Sequence, residues 1–186
     1  DIIRYLHESA NEYSLEKHPV SHREHLGVSI IGDLCSRKLW YSFRWVKLEH
    51  FEGRIRRLFH RGNDEETKFK ELLMWAGFFV REIDPNTSKQ YKFSKVNGHY
   101  GGSSDSLGLL PWFRDEQDRI LIEYKTHNAK SFKALKEKAL KISKPLHWVQ
   151  MCCYGKEFQT RYGLYCAINK DTDEYYFELL ELDWVL

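Results

Sequence analysis

The chain has 186 residues, 42% of them hydrophobic, which is enough for one domain with a full core. Its 29 basic and 27 acidic side chains leave a net charge of +2, too mild to mark a nucleic-acid-binding protein by overall charge, so any basic surface has to come from local clustering. No apolar run approaches the roughly 20 residues needed to span a bilayer. The opening "DIIRYLHESANEY" lacks the charged-then-apolar layout of a signal peptide, so an intracellular, cytoplasmic protein with no membrane partner is expected.

In chain order, the first part reads as helical. "SIIGDLCSRKLWYSFRW" (29–45) opens on a possible Ser29 cap and spaces Ile30, Leu34, Leu39 and Phe43 at a helical period. "EGRIRRLFHRGNDEETKFKELLMWAG" (52–77) continues helically and ends near Gly77. The period then changes: 78–83, 89–96, 104–110 and 119–126 read as strands, with "VNGHYGG" supplying turn residues. "AKSFKALKEKALK" (129–141) returns to helix, and 145–158 opens on Pro145 in a favoured first-turn place. Segments 161–169 and 174–182 read as a closing pair of strands. The order predicts an α/β fold, a mixed central β-sheet flanked by α-helices. No repeat or Pro/Gly-rich linker divides it. One domain over 1–186 is expected, with a helical part at about 1–77 and an α/β core at about 78–186.

The four cysteines, Cys35, Cys152, Cys153 and Cys166, form no C-x-x-C pair, and adjacent Cys152 and Cys153 would point about 100° apart on a helix. Buried structural thiols are the expectation.

"IEYKTH" (122–127) places an acid and a lysine two apart in an otherwise apolar strand. Strand side chains alternate, so Glu123 and Lys125 share one face while Ile122 and Tyr124 take the other. Alone this is as easily an exposed face or an ordinary ion pair. Upstream, "GGSSDSLGLL" places Asp105 after small residues that would let a ligand approach the backbone. If the two strands pair as a hairpin, Asp105 and Glu123 converge on one divalent cation, with the Tyr124 carbonyl as a third oxygen. Hard oxygen ligands suit Mg²⁺ or Mn²⁺. Lys125 beside the metal would orient or help deprotonate a water and neutralise charge on a phosphate.

Asp105, "EYK" at 123–125 and "QMCCY" at 150–154 together resemble the motifs of the PD-(D/E)XK nuclease superfamily, in its RecB-like and lambda-exonuclease-like branch. The resemblance implies a restriction-endonuclease-like core and hydrolysis of DNA phosphodiester bonds. It implies Gln150 and Tyr154 as site residues, and these share a helical face at a spacing of four. It also implies an acid on the upstream helix, for which "FHRGNDEETKF" is the matching segment. Glu66 is the choice, because it lies in the row Phe59, Gly62, Glu66, Phe69 and Leu73, with Glu65 and Asp64 as competitors. Asn63 and Glu66 stand where many relatives have a metal-binding histidine, so no histidine ligand is carried over. The downstream cysteine spacing does not match that of relatives with an iron–sulfur cluster, and no cluster is expected.

For substrate, Arg54, Arg56, Arg57 and Arg61, then Lys130, Lys133, Lys136, Lys138, Lys141 and Lys144, are candidate phosphate contacts or ordinary solvated helix faces. Arg37 and Lys38 are candidates for gripping a terminal phosphate, and Trp40, Tyr41 and Trp45 either stack on an unpaired base or belong to the core, with the core favoured. Three functions remain open at this point. One is a metal-dependent exonuclease of phage recombination or DNA-processing type, acting in host cytoplasm beside a recombination or replication protein. The second is an endonuclease on branched or single-stranded DNA, and the third a catalytically silent nucleic-acid-binding or protein-interaction module. Oligomeric state is not legible.

Overall fold

The computed structural model describes residues 1–20, 25–46, 50–113, 115 and 118–184. Six helices and ten strands follow in order: α1 (Ile2–Lys17), β1 (Leu26–Gly27), α2 (Val28–Ile31), α3 (Ser36–Phe43), α4 (Gly53–Trp75), β2 (Phe79–Arg81), β3 (Ile83–Asp84), β4 (Lys89–Gln90), β5 (Lys92–Lys95), β6 (Tyr100–Ser103), β7 (Ser106–Leu109), β8 (Ile120–His127), α5 (Ala129–Ser143), α6 (Pro145–Phe158), β9 (Tyr162–Asn169) and β10 (Tyr175–Glu181). The main sheet runs β10-β9-β8-β7-β2. A three-stranded sheet, β1-β6-β5, and the β3-β4 hairpin stand beside it. In the main sheet only β8 and β9 are parallel, because the chain between them crosses over through α5 and α6. The result is the expected mixed central sheet flanked by helices.

Period-2 alternation along β8 divides the core. Ile120, Ile122 and Tyr124, with Leu164, Cys166 and Ile168 of β9, pack under Phe69 and Leu73 of α4. Leu121, with Leu107, Tyr165 and Ala167, packs on the opposite face under Phe132, Leu135, Trp148 and Met151 of α5 and α6. Strands buried on both faces have no need of polar residues. Glu123, fully buried in the middle of β8, is therefore an exception that needs a reason.

Several sequence expectations are corrected. Segment 29–45 is not one helix from Ser29: α2 starts at Val28 with Gly27 before it, and α3 starts anew after Cys35. Residues 78–83 and 89–96 each break into two short strands, and the last three residues of the expected turn "VNGHYGG" belong to β6. The two glycines of β6 answer to packing. A Cβ at Gly101 would lie 2.7 Å from the Phe93 carbonyl oxygen, and one at Gly102 would lie 2.8 Å from the Tyr154 hydroxyl. Gly77 does end α4, at φ +88° just past its cap, a conformation that favours glycine. Helix α5 runs on to Ser143 but is broken at Ala139, where φ is +58°. Cys152 and Cys166 are buried, as expected of structural thiols, whereas Cys35 is exposed.

Candidate active site

The antiparallel register Ser106↔Ile122 brings Asp105, one residue before β7, opposite Glu123. Because β7 begins only at Ser106, β8 from Glu123 onward has no strand on that side among the described residues. One oxygen of Asp105 takes over there, accepting the Tyr124 N–H at 2.9 Å. Glu123 Oε1 accepts from Gln150 Nε2 at 2.6 Å and from the Lys125 ammonium. Glu123 Oε2 is buried without a partner among the described residues, as is Glu65 Oε2. Leaving a buried carboxylate oxygen so costs about 1–3 kcal/mol.

The Lys125 ammonium touches three oxygens: Glu123 Oε1, the Tyr124 carbonyl at 3.1 Å and Asp105 Oδ2 at 3.8 Å. These are the oxygens that sequence reasoning assigned to a divalent cation, and here the lysine's own charge stands among them. Among the described residues no group of three or more His, Cys, Asp and Glu closes around one point. The donor set is thus two carboxylates and a carbonyl, with Glu123 Oε2 still unmatched. It is hard-oxygen chemistry that fits Mg²⁺ or Mn²⁺.

Glu66 and Glu65 part company on α4. Glu65 is buried and bonded to Lys68 at 2.7 Å. Glu66, one residue on, turns toward the β8 centre. Burial first, then the Asp105 charge, pushes its carboxyl up to about 7, against the pull of Lys125. Asp64 is exposed and 3.8 Å from His60. Burial and Asp105 also raise the Glu123 carboxyl. For Lys125 burial disfavours the charge, but Glu123 and Asp105 together outweigh it and hold the ammonium protonated. The excess of negative charge at the site raises both, and burial adds to the rise of Glu123 while opposing that of Lys125.

Gln150 and Tyr154 both lie on the buried side of α6 but do different things. Gln150 reaches Glu123. Tyr154 lies among Phe93, Phe158 and the Gly102 backbone, so it supports the wall behind the site. A neighbouring group was missed from sequence. The Tyr165 hydroxyl, fully buried, lies 2.8 Å from both His127 Nε2 and His147 Nδ1, and His127 Nδ1 lies 2.9 Å from Ser131 Oγ. Burial foremost, with Lys144 and Lys125 nearby, pushes His127 down to about 4, and burial and Lys125 push His147 down to about 3. The signal was present, since His127 follows Glu123 by four and so shares its strand face, and His147 precedes Gln150 by three on α6.

The arginines of α4 are largely occupied. Arg56 donates to the carbonyls of Phe51, Leu15 and His18, and Arg57 to Ala10 O and Ser14 Oγ, so both tie α1 to α4. Arg61 donates to Lys170 O. These three thus carry a structural duty, with Arg57 and Arg61 still exposed. Arg54 and Arg37 are exposed, while Lys38 is held by Asp33 at 2.5 Å. Lys130 and Lys133 are exposed on α5, the latter 3.9 Å from Glu137. Trp40, Tyr41 and Trp45 are not core: each is about half exposed, and Arg44 stands over the Trp40 ring.

No family model matches the chain, and no curated protein matches it in sequence. Solved structures do. The chain is similar to the crystal structure of an alkaline exonuclease, LHK-Exo, from Laribacter hongkongensis, with a TM-score of 0.57 and 16% identity over 92% of this chain and 82% of that one. LHK-Exo in complex with dAMP gives 0.56 and 17% over 87% and 79%. The mixed α/β architecture described above is therefore shared with an exonuclease, at an identity that speaks for the fold.

Proposed function

We propose that the chain is a PD-(D/E)XK-type nuclease of the lambda-exonuclease-like branch that hydrolyses DNA phosphodiester bonds with Mg²⁺ or Mn²⁺, as an exonuclease. The observation that carries this reading is the Lys125 ammonium lying on Glu123, the Tyr124 carbonyl and Asp105 beside an unpartnered, buried Glu123 Oε2. The shared fold with an alkaline exonuclease supports it.

Asp105, Glu123 and the Tyr124 carbonyl would hold the cation, with Glu66 as the acid facing them from α4. When bound, such an ion supplies a Lewis-acid centre that lowers the pKa of a water and takes up charge on a phosphoryl oxygen. Lys125 then has two tasks: to orient the attacking water and to counter the charge growing on the phosphate. Gln150 holds Glu123 in its rotamer through the 2.6 Å bond. Tyr154 keeps β6 and α6 at their close spacing. Water adds to phosphorus, the bond to the leaving oxygen breaks, and that oxygen takes the proton.

DNA would be positioned by exposed cations, Arg37, Arg54, Lys130 and Lys133, giving sequence-tolerant and salt-dependent binding. The half-exposed Trp40, Tyr41 and Trp45 offer faces for an unpaired base.

The test is cleavage of end-labelled linear duplex beside a covalently closed circle, in Mg²⁺, Mn²⁺ or EDTA, with wild type and Lys125→Ala. Metal-dependent loss of the linear DNA alone, abolished in the variant, is the expected result. Nicking of the circle makes the enzyme an endonuclease. Binding without any cleavage leaves a silent module.

A further inference from the structure

A cleft of about 640 Å³ lies away from the acid centre and shares no residue with it. Its lining includes Lys89, Lys92, Phe93, Arg119 and Phe158. We propose that this cleft is a second nucleic-acid site that holds a short single-stranded stretch of the substrate. Its substrate class rests on the nuclease reading above.

Charge is the first argument. Of the two acids in the lining, Glu157 is paired with Lys95 at 3.1 Å, and Asp84 accepts from Asn86 N at 2.9 Å and Thr87 Oγ1 at 3.2 Å within its own turn. Lys89, Lys92 and Arg119 are left without an ion pair among the described residues, three cations around one concavity. The second argument is an unmet donor. Arg119 Nε is shielded from water and has no acceptor among the described residues, and buried N–H groups of this kind are regularly met by a partner. The third is the aromatic part of the lining, where Phe93 and Phe158 meet edge to face with ring centroids 6.1 Å apart. Aromatic faces with flanking cations are how sequence-tolerant single-strand sites are built.

Position is the fourth argument. Arg119 immediately precedes β8, and Leu121, Glu123 and Lys125 share one face of that strand. Four residues of strand place Arg119 about 13 Å from Glu123. That is the axial rise of about four nucleotides of one duplex strand. A volume in the range of about 300–1,000 Å³ suits a ligand of small-molecule size, so the cleft takes a nucleotide or two and not a duplex. The cleft thus lies within a few nucleotides of the acid centre.

The experiment uses Lys89→Glu/Lys92→Glu, two exposed positions outside the acid centre, checked for folding by thermal melting. Binding of labelled dT12 is measured in EDTA over a salt series, with dTMP and polyglutamate as competitors. Hydrolysis of thymidine 5′-p-nitrophenyl phosphate with Mn²⁺ is followed in parallel, because a single diester cannot reach both places. The variant is expected to bind dT12 about tenfold more weakly, with a salt slope reduced by about 1.4 for two lost phosphate contacts, and to hydrolyse the small diester like wild type. Unchanged dT12 affinity and slope would overturn the cleft assignment. So would polyglutamate or dTMP competing as well as dT12, since either marks a general anion patch. The two readings separate cleanly: wild-type hydrolysis of the small diester supports the nuclease reading whatever the cleft does. Loss of dT12 binding in the variant without any hydrolysis by wild type supports the cleft while removing that reading.

Discussion

The charges of β8 and the charges of α4 invite comparison, because the sequence presents both as dense ionic clusters. On β8 and its neighbours each group is desolvated and answers to another: Glu123 is 0% exposed and bonded to both Lys125 and Gln150, and Asp105 closes the edge left by β7. On α4, Arg56, Arg57 and Arg61 lie near the surface and are satisfied mainly by backbone carbonyls of other elements. The first cluster pays a solvation cost for an arrangement that stability alone does not require. The second ties helix α1 and the β9–β10 turn to the body of the molecule. The β8 charges are held by other buried side chains, and the α4 charges mostly by backbone carbonyls.

The largest expected effect comes from breaking the first cluster. Glu123→Gln keeps volume but removes the charge, and cleavage should fall at least 10²-fold in a gel assay under Mg²⁺. Lys125→Met removes the ammonium that offsets the burial of Glu123, and should cost about 3 kcal/mol in urea unfolding at pH 8 without metal. Added Mn²⁺ should restore part of that loss.

Next comes Tyr165→Phe, which removes the hydroxyl shared by His127 and His147 and should cost about 1–3 kcal/mol. Both histidines have folded pKa values below the unfolded one, at about 4 and about 3, so their stability is present above pH ~6.5 and lost as pH falls through those values. The acid limb of the unfolding midpoint against pH should keep its slope in the variant, because burial and the nearby lysines, and not the hydroxyl, depress both histidines.

Glu66 has the opposite sign. Its folded pKa of about 7 is raised above 4.5, so its contribution is present below pH ~4.5 and lost as pH rises through 7. Glu66→Gln should therefore stabilise the metal-free protein at pH 8, by on the order of 1 kcal/mol after allowing for solvent screening at this half-buried position, and weaken Mn²⁺ binding in calorimetry. Lys68→Ala, which frees Glu65 instead, should leave Mn²⁺ affinity unchanged.

The smallest effects separate the two kinds of cation. Arg57→Ala should lower stability by about 1 kcal/mol and leave the salt dependence of DNA binding unchanged. Lys133→Ala should stay within about 0.5 kcal/mol in stability and lower the salt slope for duplex by about 0.9. The reverse pattern would break the comparison.

The sequence by itself determined the periodic elements and the residue types at the centre. The long strand β8, helices α4 and α6 and the β9–β10 pair lie within one or two residues of their predicted bounds, because each buries a regular apolar pattern. The motif spacing picked out Asp105, Glu123, Lys125 and Gln150, which the fold then draws into one contact set. Tertiary structure decided the rest. Only the register of β7 on β8 could put Asp105 on the Tyr124 amide, and only the packing of α4 could turn Glu66 inward while Glu65 took Lys68. The arginines of α4 read as a nucleic-acid surface until α1 and the β9–β10 turn supplied carbonyls for three of them, and Trp40 and Trp45 read as core until the fold left each about half exposed. A side chain's local pattern fixes its face on an element, but its partner comes from residues distant in sequence, and the partner decides what a charge or an aromatic ring does.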